Sequence, residues 1–476
     1  MGLCVDIMRV LFIFLTLSLA NCQEDVSSWT NGRYTTSRTK NPAIGEALFL
    51  SAQVTGEPNE VWDVECTVTT PSGELWQVSF GSVYGEDGDI VPGVEGEFTK
   101  DQCWVSVTSA SEEHFGDWRF DIYDLIPTPQ PSFVITTANL VTDVRLQDWF
   151  DPQHYDVRLI PDFDSTGENI TYEGSVTMAL ESRYSDNNIV SFHIDELTLV
   201  GEPKICLESN CSVTPVSRTI YDFQRTFVHL ETSAPFLSGS VYELSLNFTA
   251  NLSRGRFFTY GFYPQMCSET NGDPKLCWFT QGESTTMRNA FPCLDEPALK
   301  AHFSLEIART EDYFTRTNTP FVETVPLPEK PGYVLDRFET TPKMSAYLVA
   351  IGITDFVSLP SLDNSTTVWG PREDIEAGRG DYANQIGSEV MSYYADYFNV
   401  LYPLPKMDLM YEAKKGGAME NWGLVLFAPR TIMLDADADD EAKWLVTNVI
   451  AHELAHQVDI FDIVQKWHFG FLFFNK

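Results

Sequence analysis

Five residues near the end of the sequence, His452-Glu453-Leu454-Ala455-His456, combine side chains that bind metal ions with one that accepts a proton. The two histidines are four residues apart. On a helix, both imidazoles would lie on one face, one turn apart, at a spacing suited to sharing a metal ion. Glu453 would lie beside them, where its carboxylate could take a proton from a metal-bound water. The pattern therefore predicts metal-assisted hydrolysis by residues of a helix.

A second segment, Gly416 to Gly423 with the letters GGAMENWG, combines two glycines with a carboxylate and an amide. A tight turn before a strand would account for the two glycines, but not for the Glu-Asn pair or the aromatic residue after it. The functional interpretation is an extended backbone edge that pairs with a peptide, with Glu420 directed at a positive group. A carboxylate that faces a free α-ammonium would fix cleavage at the N-terminus and exclude internal bonds.

G-A-M-E-N, followed about thirty residues later by H-E-L-A-H, resembles the paired signature of the zinc aminopeptidases similar to aminopeptidase N, which are gluzincins. The resemblance continues through WFDPQHYDVRLIP, FTQGESTTMRNAFPCLDEPALKAHF, TPKMSAYLVAIGITDF and YPLPKMDLM. It covers residues from about 145 to 457. It implies a saddle-shaped β-domain followed by a thermolysin-like catalytic domain that removes N-terminal residues from peptides.

The resemblance implies two groups of functional residues in the catalytic domain. The metal centre would consist of the Zn²⁺ ligands His452 and His456 and the general base Glu453. The peptide would be held by Glu420 at its amino group with help from Gln281, and along its backbone by Gly417 and Ala418.

The resemblance also indicates what this chain lacks. The family's third zinc ligand is a glutamate nineteen residues past the second histidine, and the residue here is Asn475. Asp459 is close to the same helical face and is an alternative metal contact, with Asp462 less well placed. The tyrosine that the family uses to steady the oxyanion would lie beyond Lys476. We therefore expect residues 458–476 to be an unrelated tail of a C-terminally truncated chain that is inactive alone.

The elements that must position these residues follow from the pattern of apolar and polar side chains. Residues 23–130 contain short β-branched and aromatic runs between turns, which predicts a β-sandwich, with the immunoglobulin-like arrangement as one form. A proline-rich linker follows at residues 126–133. Residues 140–355 keep the β pattern and correspond to the saddle domain, and residues 356–457 to the N-terminal half of the thermolysin-like domain.

The last domain has the mixed pattern of an α/β fold. Helical spacing predicts one helix in YANQIGSEVMSYYADYFNVL, stopped by Pro403, and another in EAKWLVTNVIAHELAHQ. KMDLMYEA and WGLVLFAP between them predict strands. The whole chain is therefore expected to be mostly β followed by α/β, with the HELAH segment on the second long helix.

The N-terminus and the charge indicate the compartment and the partners. Arg9, an apolar run, and Ala20 and Cys22 before a cut at Gln23 predict a signal peptide at residues 1–22, with a retained anchor as the alternative. The net charge of -37 argues against nucleic acid and anionic membranes as partners. The predicted signal peptide leads us to expect secretion or display on the outer face of the plasma membrane. Membrane association is expected only of a full-length form.

Cysteines and glycosylation motifs agree with the secretory route. Proximity in the sequence predicts three disulfides, and an odd cysteine, Cys293, as a buried thiol. The predicted pairs are Cys66 with Cys103, Cys206 with Cys211, and Cys267 with Cys277. Five N-x-S/T motifs begin at Asn169, Asn210, Asn247, Asn251 and Asn364.

Two functions from different classes remain in view. One is a zinc aminopeptidase that acts on peptides with a free N-terminus. The alternative is a secreted non-catalytic binding protein, or pseudoenzyme, that uses its β-domains. The alternative predicts no equimolar zinc and no hydrolysis of aminoacyl reporters.

Overall fold

The structure is a computed structural model of the chain. It describes residues 26–31, 34–39, 48–54, 64–71, 74–79, 82–84, 91–92, 94–98, 102–107, 117–124, 131–136, 145–163, 170–209, 212–252, 261–270 and 273–462. The predicted signal peptide, Asn169, Asn210, Cys211 and most of the predicted tail lie outside these ranges.

The described residues contain thirty strands and three α-helices. In chain order the strands are β1 (Val26–Asn31), β2 (Tyr34–Thr39), β3 (Leu48–Val54), β4 (Val64–Thr69), β5 (Leu75–Ser79), β6 (Ser82–Tyr84), β7 (Val94–Phe98), β8 (Gln102–Val107), β9 (Asp117–Asp124), β10 (Pro131–Thr136), β11 (Phe150–Pro161), β12 (Thr171–Ser182), β13 (Ile189–His193), β14 (Leu197–Leu207), β15 (Ser212–Thr214), β16 (Val216–Asp222), β17 (Phe227–Thr232), β18 (Val241–Asn251), β19 (Gly261–Thr270), β20 (Asp273–Gln281), β21 (His302–Thr310), β22 (Phe314–Thr317), β23 (Phe321–Pro326), β24 (Tyr333–Phe338), β25 (Ile351–Thr354), β26 (Val357–Pro360), β27 (Thr367–Gly370), β28 (Asp408–Tyr411), β29 (Ala418–Met419) and β30 (Leu424–Phe427). The helices are α1 (Arg372–Glu376), α2 (Asp381–Phe398) and α3 (Asp440–Asp462), with 3-10 turns at Met287–Asn289, Ala346–Leu348 and Pro429–Thr431.

The chain divides into two compact units, and the first comprises Met1–Gln147, Asn187–Thr198 and Pro215–Pro235. It contains an antiparallel sheet of order β1-β2-β3-β8-β7 and a larger sheet of order β13-β17-β16-β10-β9-β4-β5-β6. A disulfide between Cys66 of β4 and Cys103 of β8 joins the two sheets, with their Cα atoms 6.3 Å apart. Two sheets joined in this way confirm the predicted β-sandwich, while the immunoglobulin-like arrangement stays a prediction.

The first unit does not coincide with the predicted segment 23–130. Three strands from later in the chain, β13, β16 and β17, extend its larger sheet, and β16 pairs in parallel with β10. The predicted linker at residues 126–133 also ends inside β10. Pro131 is the first residue of that strand, a position at which proline is tolerated in sheets. The boundaries at 130, 140, 355 and 457 therefore remain predictions.

The second unit comprises Asp148–Asp186, Leu199–Thr214 and Phe236–Lys476 and contains three sheets. Their orders are β15-β14-β18-β12-β11-β21-β24-β23, β19-β20-β25-β22 and β26-β27-β28-β30-β29. In the last sheet the central strands β27, β28 and β30 are parallel and the edge strands are antiparallel to their neighbours. Long strands such as β12 largely alternate between buried and half-buried residues, whereas every residue of β30 is buried. β30 therefore has the continuous apolar pattern of a strand covered on both faces.

Both long helices, α2 and α3, pack on the sheet of order β26-β27-β28-β30-β29, which is called the five-stranded sheet below. α2 ends where Asn399 takes the left-handed conformation, with φ 53°, four residues before the proline that was expected to stop it. The buried core between helices and sheet consists of Val368, Ala383, Met391, Met407, Leu409, Val425, Phe427, Ile432, Val446, Ile450 and Leu454. This arrangement confirms the expectation of a mostly β chain followed by an α/β domain.

Two of the three predicted disulfides are confirmed, Cys66–Cys103 and Cys267–Cys277. The third pairing stays a prediction because Cys211 is outside the described residues. Cys293 is a buried thiol, as expected, and burial raises the pKa of its thiol well above the ordinary range. Among the helices of the described residues, none combines the length and apolar character that crossing a bilayer requires.

Candidate active site

Helix α3 positions the predicted metal centre. It begins with Asp440 and Glu441, whose negative charge suits a helix N-terminus, and the backbone N–H of Ala442 donates to the Asp439 side chain at 2.9 Å. One face of the helix is fully buried, through Val446, Ile450 and Leu454. Each histidine lies two residues after a member of this face, about 200° around the helix, and so on the opposite side.

The two histidine side chains converge. The Nε2 atoms of His452 and His456 are 3.2 Å apart, and the ring centroids are separated by 4.8 Å. Partial burial, with a further contribution from His456, lowers the pKa of His452 and favours the neutral form that binds metals. Two imidazole nitrogens directed at one point fit two positions of a zinc coordination shell.

No third possible ligand joins the two histidines within the part of the chain that the structure describes. There, the one group of three such residues is Cys267, Cys277 and Asp355, and its two sulfurs form a disulfide. Asn475 lies outside the described residues, and Asp459 is described only as helical backbone. The absence of the third ligand therefore stays a prediction.

Glu453 lies between the histidines in sequence and is only 6% exposed. Its burial, together with the negative charges of Glu420 and Glu283, raises the pKa of its carboxyl to about 8, against the opposing effect of Lys415. Its Oε2 atom has no hydrogen-bond partner among the described residues. A carboxylate with a raised pKa in a recess has the properties of a general base.

The GAMEN segment forms the outer edge of the five-stranded sheet. Ala418 and Met419 are the two residues of β29, which pairs with β30 on one side and is last in the strand order. The carbonyl of Gly417 accepts a hydrogen bond from the backbone N–H of Ala428 at 2.7 Å. A Cβ at Gly417 would meet no atom within 4 Å. Among the described residues, no atom therefore fills the space beside Gly417, and pairing with a peptide would need such space.

Gln457, which the sequence interpretation did not single out, ties the helix to the GAMEN segment. Its buried Nε2 donates to the backbone carbonyl of Glu420 at 2.7 Å, and its Oε1 accepts from the backbone N–H of Gly423 at 3.2 Å. Gly423 has φ 82°, and a Cβ there would come within 2.2 Å of the Asn318 carbonyl. The only sequence signal for Gln457 is its position next to His456.

The structure brings Gln281 to the same segment, although it lies more than a hundred residues earlier in the chain. Gln281 Nε2 donates to the sulfur of Met419 at 3.4 Å, and its Oε1 accepts a hydrogen bond from Lys415 Nζ. Lys415 Nζ is also 3.8 Å from Oε2 of the buried Glu412. Glu412 Oε1 accepts from the hydroxyl of Tyr263 at 2.6 Å. Sequence analysis did not identify Lys415 and Glu412, because their position near the two glycines is the one feature that distinguishes them in the sequence.

Three carboxylates influence one another in this recess. Burial and the charge of Glu420 raise the pKa of Glu283, which lies two residues after Gln281 in the QGES segment. Burial, followed by the charges of Glu420 and Glu283, raises the pKa of Tyr347 to about 12. Together with Glu453, these residues form an acidic recess suited to a positively charged group. Sequence analysis found Glu420 and Glu453 but neither Glu283 nor Tyr347.

Two models of one protein family match parts of the chain. The Peptidase M1 N-terminal domain matches residues 151–348, and the Peptidase family M1 domain matches residues 382–467. The second match extends past Gln457, where the resemblance was expected to end.

Several curated aminopeptidases are similar to this chain. Endoplasmic reticulum aminopeptidase 1 of Mus musculus is 34% identical over 327 residues, which is 66% of this chain and 33% of that protein. Aminopeptidase N of Mus musculus is 31% identical over 330 residues, again 66% of this chain and 33% of that protein. Aminopeptidase Q of Mus musculus is 28% identical over 403 residues, or 80% of this chain and 69% of that protein.

The chain thus spans about a third of the length of the first two of these relatives. Two domains of one family match consecutive parts of the chain, in the order in which the β-rich and α/β regions occur. From these matches and the aminopeptidase relatives, it follows that the chain belongs to the peptidase M1 family.

Proposed function

We propose that this site belongs to a Zn²⁺-dependent aminopeptidase that removes N-terminal residues from peptides. The observation that carries the proposal is the convergence of His452 Nε2 and His456 Nε2, 3.2 Å apart, beside the buried Glu453. These two nitrogens would hold the zinc ion. When bound, Zn²⁺ supplies a Lewis acid that lowers the pKa of water and polarises a carbonyl.

Glu453 would act in proton transfer. Its carboxylate would take a proton from the attacking water and return it to the amine that leaves. Because the pKa of Glu453 is raised to about 8, the group exchanges protons in the neutral range, where a general acid–base catalyst works best. Its burial also keeps bulk water from competing for the same carboxylate oxygen.

The acidic recess and the sheet edge would bind the peptide. The α-ammonium would bind the carboxylate of Glu420 and Oε1 of Gln281, which lies next to Met419 of the same segment. Gly417 and Ala418 would line the peptide backbone along the open side of β29. A site that recognises the ammonium in this way accepts a peptide only by its first residue, which restricts cleavage to the N-terminus.

Binding tests this function without depending on the rest of the enzyme. We expect the 476-residue chain to bind Zn²⁺, and to bind a tetra-alanine peptide with a free N-terminus more tightly than its N-acetylated form. Glu420→Gln should remove that preference, whereas Glu389→Gln, on the exposed face of α2, should retain it. Equal binding of both peptides by the unaltered chain would refute the proposed amine site. Hydrolysis of aminoacyl reporters by this chain alone is expected to be at the detection limit.

The proposal includes entry into the secretory pathway, on the cell surface or outside the cell. Two disulfides support it, since disulfides persist in oxidising compartments. Asn247, Asn251 and Asn364 also have exposed positions, as glycan attachment requires.

A further inference from the structure

The further inference concerns Lys415, which lies two residues before the GAMEN segment. Its side chain is only 11% exposed, although lysine is among the residues least often buried. Its neighbour Lys414 is exposed. Burial lowers the pKa of Lys415, whereas Glu412, Glu420, Glu453 and Glu283 oppose that effect. The lysine therefore lies among the carboxylates of the recess in which the substrate's amine is proposed to bind.

The ammonium group of Lys415 already uses the atom that the peptide would need. Its Nζ donates to Oε1 of Gln281, the acceptor assigned above to the α-ammonium of the peptide. Two ammonium groups cannot occupy the same acceptor side by side, because like charges at such a distance repel. A peptide that binds Gln281 must therefore displace Lys415 from it.

A second partner for the displaced lysine is present. Glu412 Oε2 is buried, has no hydrogen-bond partner among the described residues, and is 3.8 Å from Lys415 Nζ, just beyond hydrogen-bond distance. The other oxygen of Glu412 is occupied by the Tyr263 hydroxyl. A rotation of the lysine side chain away from Gln281 would complete the hydrogen bonding of Glu412 without exposing the charge to a less favourable site.

We propose that Lys415 is an internal competitor for the amine subsite, which retreats from Gln281 to Glu412 when a peptide with a free N-terminus binds. The proposal rests on the proposed function of the recess. If the lysine occupies Gln281 about nine-tenths of the time, the apparent affinity for peptides is reduced about tenfold. Lys415 would then set how tightly the site holds short peptides and released amino acids.

The test measures binding of tetra-alanine to the full chain and to two variants, with EDTA present to prevent hydrolysis. Lys415→Met should tighten binding about tenfold because the subsite is then always open. Lys414→Met removes the same charge one residue earlier and should leave the affinity within about twofold. In the Lys415→Met background, Glu412→Gln should have no further effect, whereas alone it should weaken binding because the lysine loses its alternative partner.

A chemical readout separates competition from a structural role. In the peptide-free chain, Lys415 should be methylated by formaldehyde and borohydride more slowly than Lys414, as measured by mass spectrometry. Saturating tetra-alanine should change the rate of methylation of Lys415 and leave that of Lys414 unaffected. N-acetylated tetra-alanine should change neither methylation rate.

Each outcome decides the matter. Tetra-alanine that binds the unaltered chain and Lys415→Met equally well, or binds the variant more weakly, would overturn the competition and leave the aminopeptidase proposal intact. Equal methylation of Lys415 and Lys414 without peptide would also overturn it. If neither protein binds tetra-alanine, the proposed amine site itself is wrong and the competition falls with it.

Discussion

The side chain of Gln457 donates to the backbone carbonyl of Glu420 at 2.7 Å, which fixes the GAMEN segment to the helix that carries the histidines. The same amide accepts from the N–H of Gly423, so a single buried side chain has two bonds to one loop. This relationship couples the predicted zinc centre to the predicted amine site, because neither can shift without breaking these bonds.

Replacing Gln457 by methionine should destabilise the chain. The substitution keeps the size of the side chain but leaves the Gly423 N–H and the Glu420 carbonyl without their partner, at a cost of roughly 2 to 4 kcal/mol in the free energy of unfolding. Urea unfolding of the full chain measures this difference. Gln385→Met provides the control, because Gln385 is exposed on α2 and its side chain donates to the neighbouring Glu389. A loss below about 0.5 kcal/mol would show that the two bonds do not hold the segment.

Replacing either histidine of the converging pair should weaken zinc binding. Because His452 and His456 each supply one Nε2 nitrogen at the same point, His452→Ala and His456→Ala should each lower the affinity for Zn²⁺ at least about tenfold. Competition with a chromophoric chelator measures this affinity. His302→Ala is a suitable control, since His302 is an exposed histidine on β21. If Zn²⁺ bound equally tightly to all three variants, the zinc site would have to lie away from His452 and His456.

The buried Glu412 should make the stability of the chain depend on pH. Burial raises the pKa of Glu412 above its ordinary value of 4.5, while Lys415 and the Tyr263 hydroxyl oppose that shift. The folded chain therefore holds this proton more tightly than the unfolded chain. Glu412 contributes stability below pH 4.5, and the contribution is lost as pH rises through its folded-state pKa.

Glu412→Gln should remove this contribution. The free energy of unfolding of the variant, relative to that of the unaltered chain, should increase as pH rises from about 4.5 towards 7. Denaturant unfolding at a series of pH values gives the difference directly. A difference that is constant over this range would mean that Glu412 has no raised pKa in the folded chain.

Glycans should be present at the three described N-x-S/T motifs when the chain is made by secreting eukaryotic cells. Asn247 and Asn251 are exposed on β18, and Asn364 is exposed in a turn with φ 56°. Treatment with a glycosidase specific for N-linked glycans should reduce the mass of the chain. Thr249→Ala should prevent modification of Asn247, and Thr249→Ser should retain it. A mass unchanged by the enzyme would contradict the proposed secretory route.

Local patterns in the sequence predicted the elements better than their partners. Residues with helical spacing formed α2 and α3, because their apolar side chains lie on the face that packs on the sheet. The pairing of β16 with β10 could not be predicted, since neither strand carries a local mark of its neighbour. The short helix α1 has no buried residue, and so had no apolar pattern to reveal it.

The residues of the site divide in the same way, into those that a local pattern predicts and those that only the fold brings together. His452, Glu453 and His456 are close in sequence, and helix geometry alone predicts that they share a region. Gln281 reaches Met419 only through the fold, and it was predicted from family resemblance, not from its own neighbours. Nothing in the letters EAKKGG indicates that Lys415 is buried against Gln281, because burial of a lysine depends on distant carboxylates.

The parallel pairing of β10 with β16 has a consequence for biosynthesis. Ser132 of β10 lies opposite Ile220, so the ribosome must add the intervening residues before this part of the sheet can close. Until β16 has been made, the edge of β10 that β16 later covers has no partner from the larger sheet. Pairings between such distant segments form slowly, and open edges attract other chains. The N-terminal strands of a nascent chain would therefore need protection from aggregation until translation has passed residue 222.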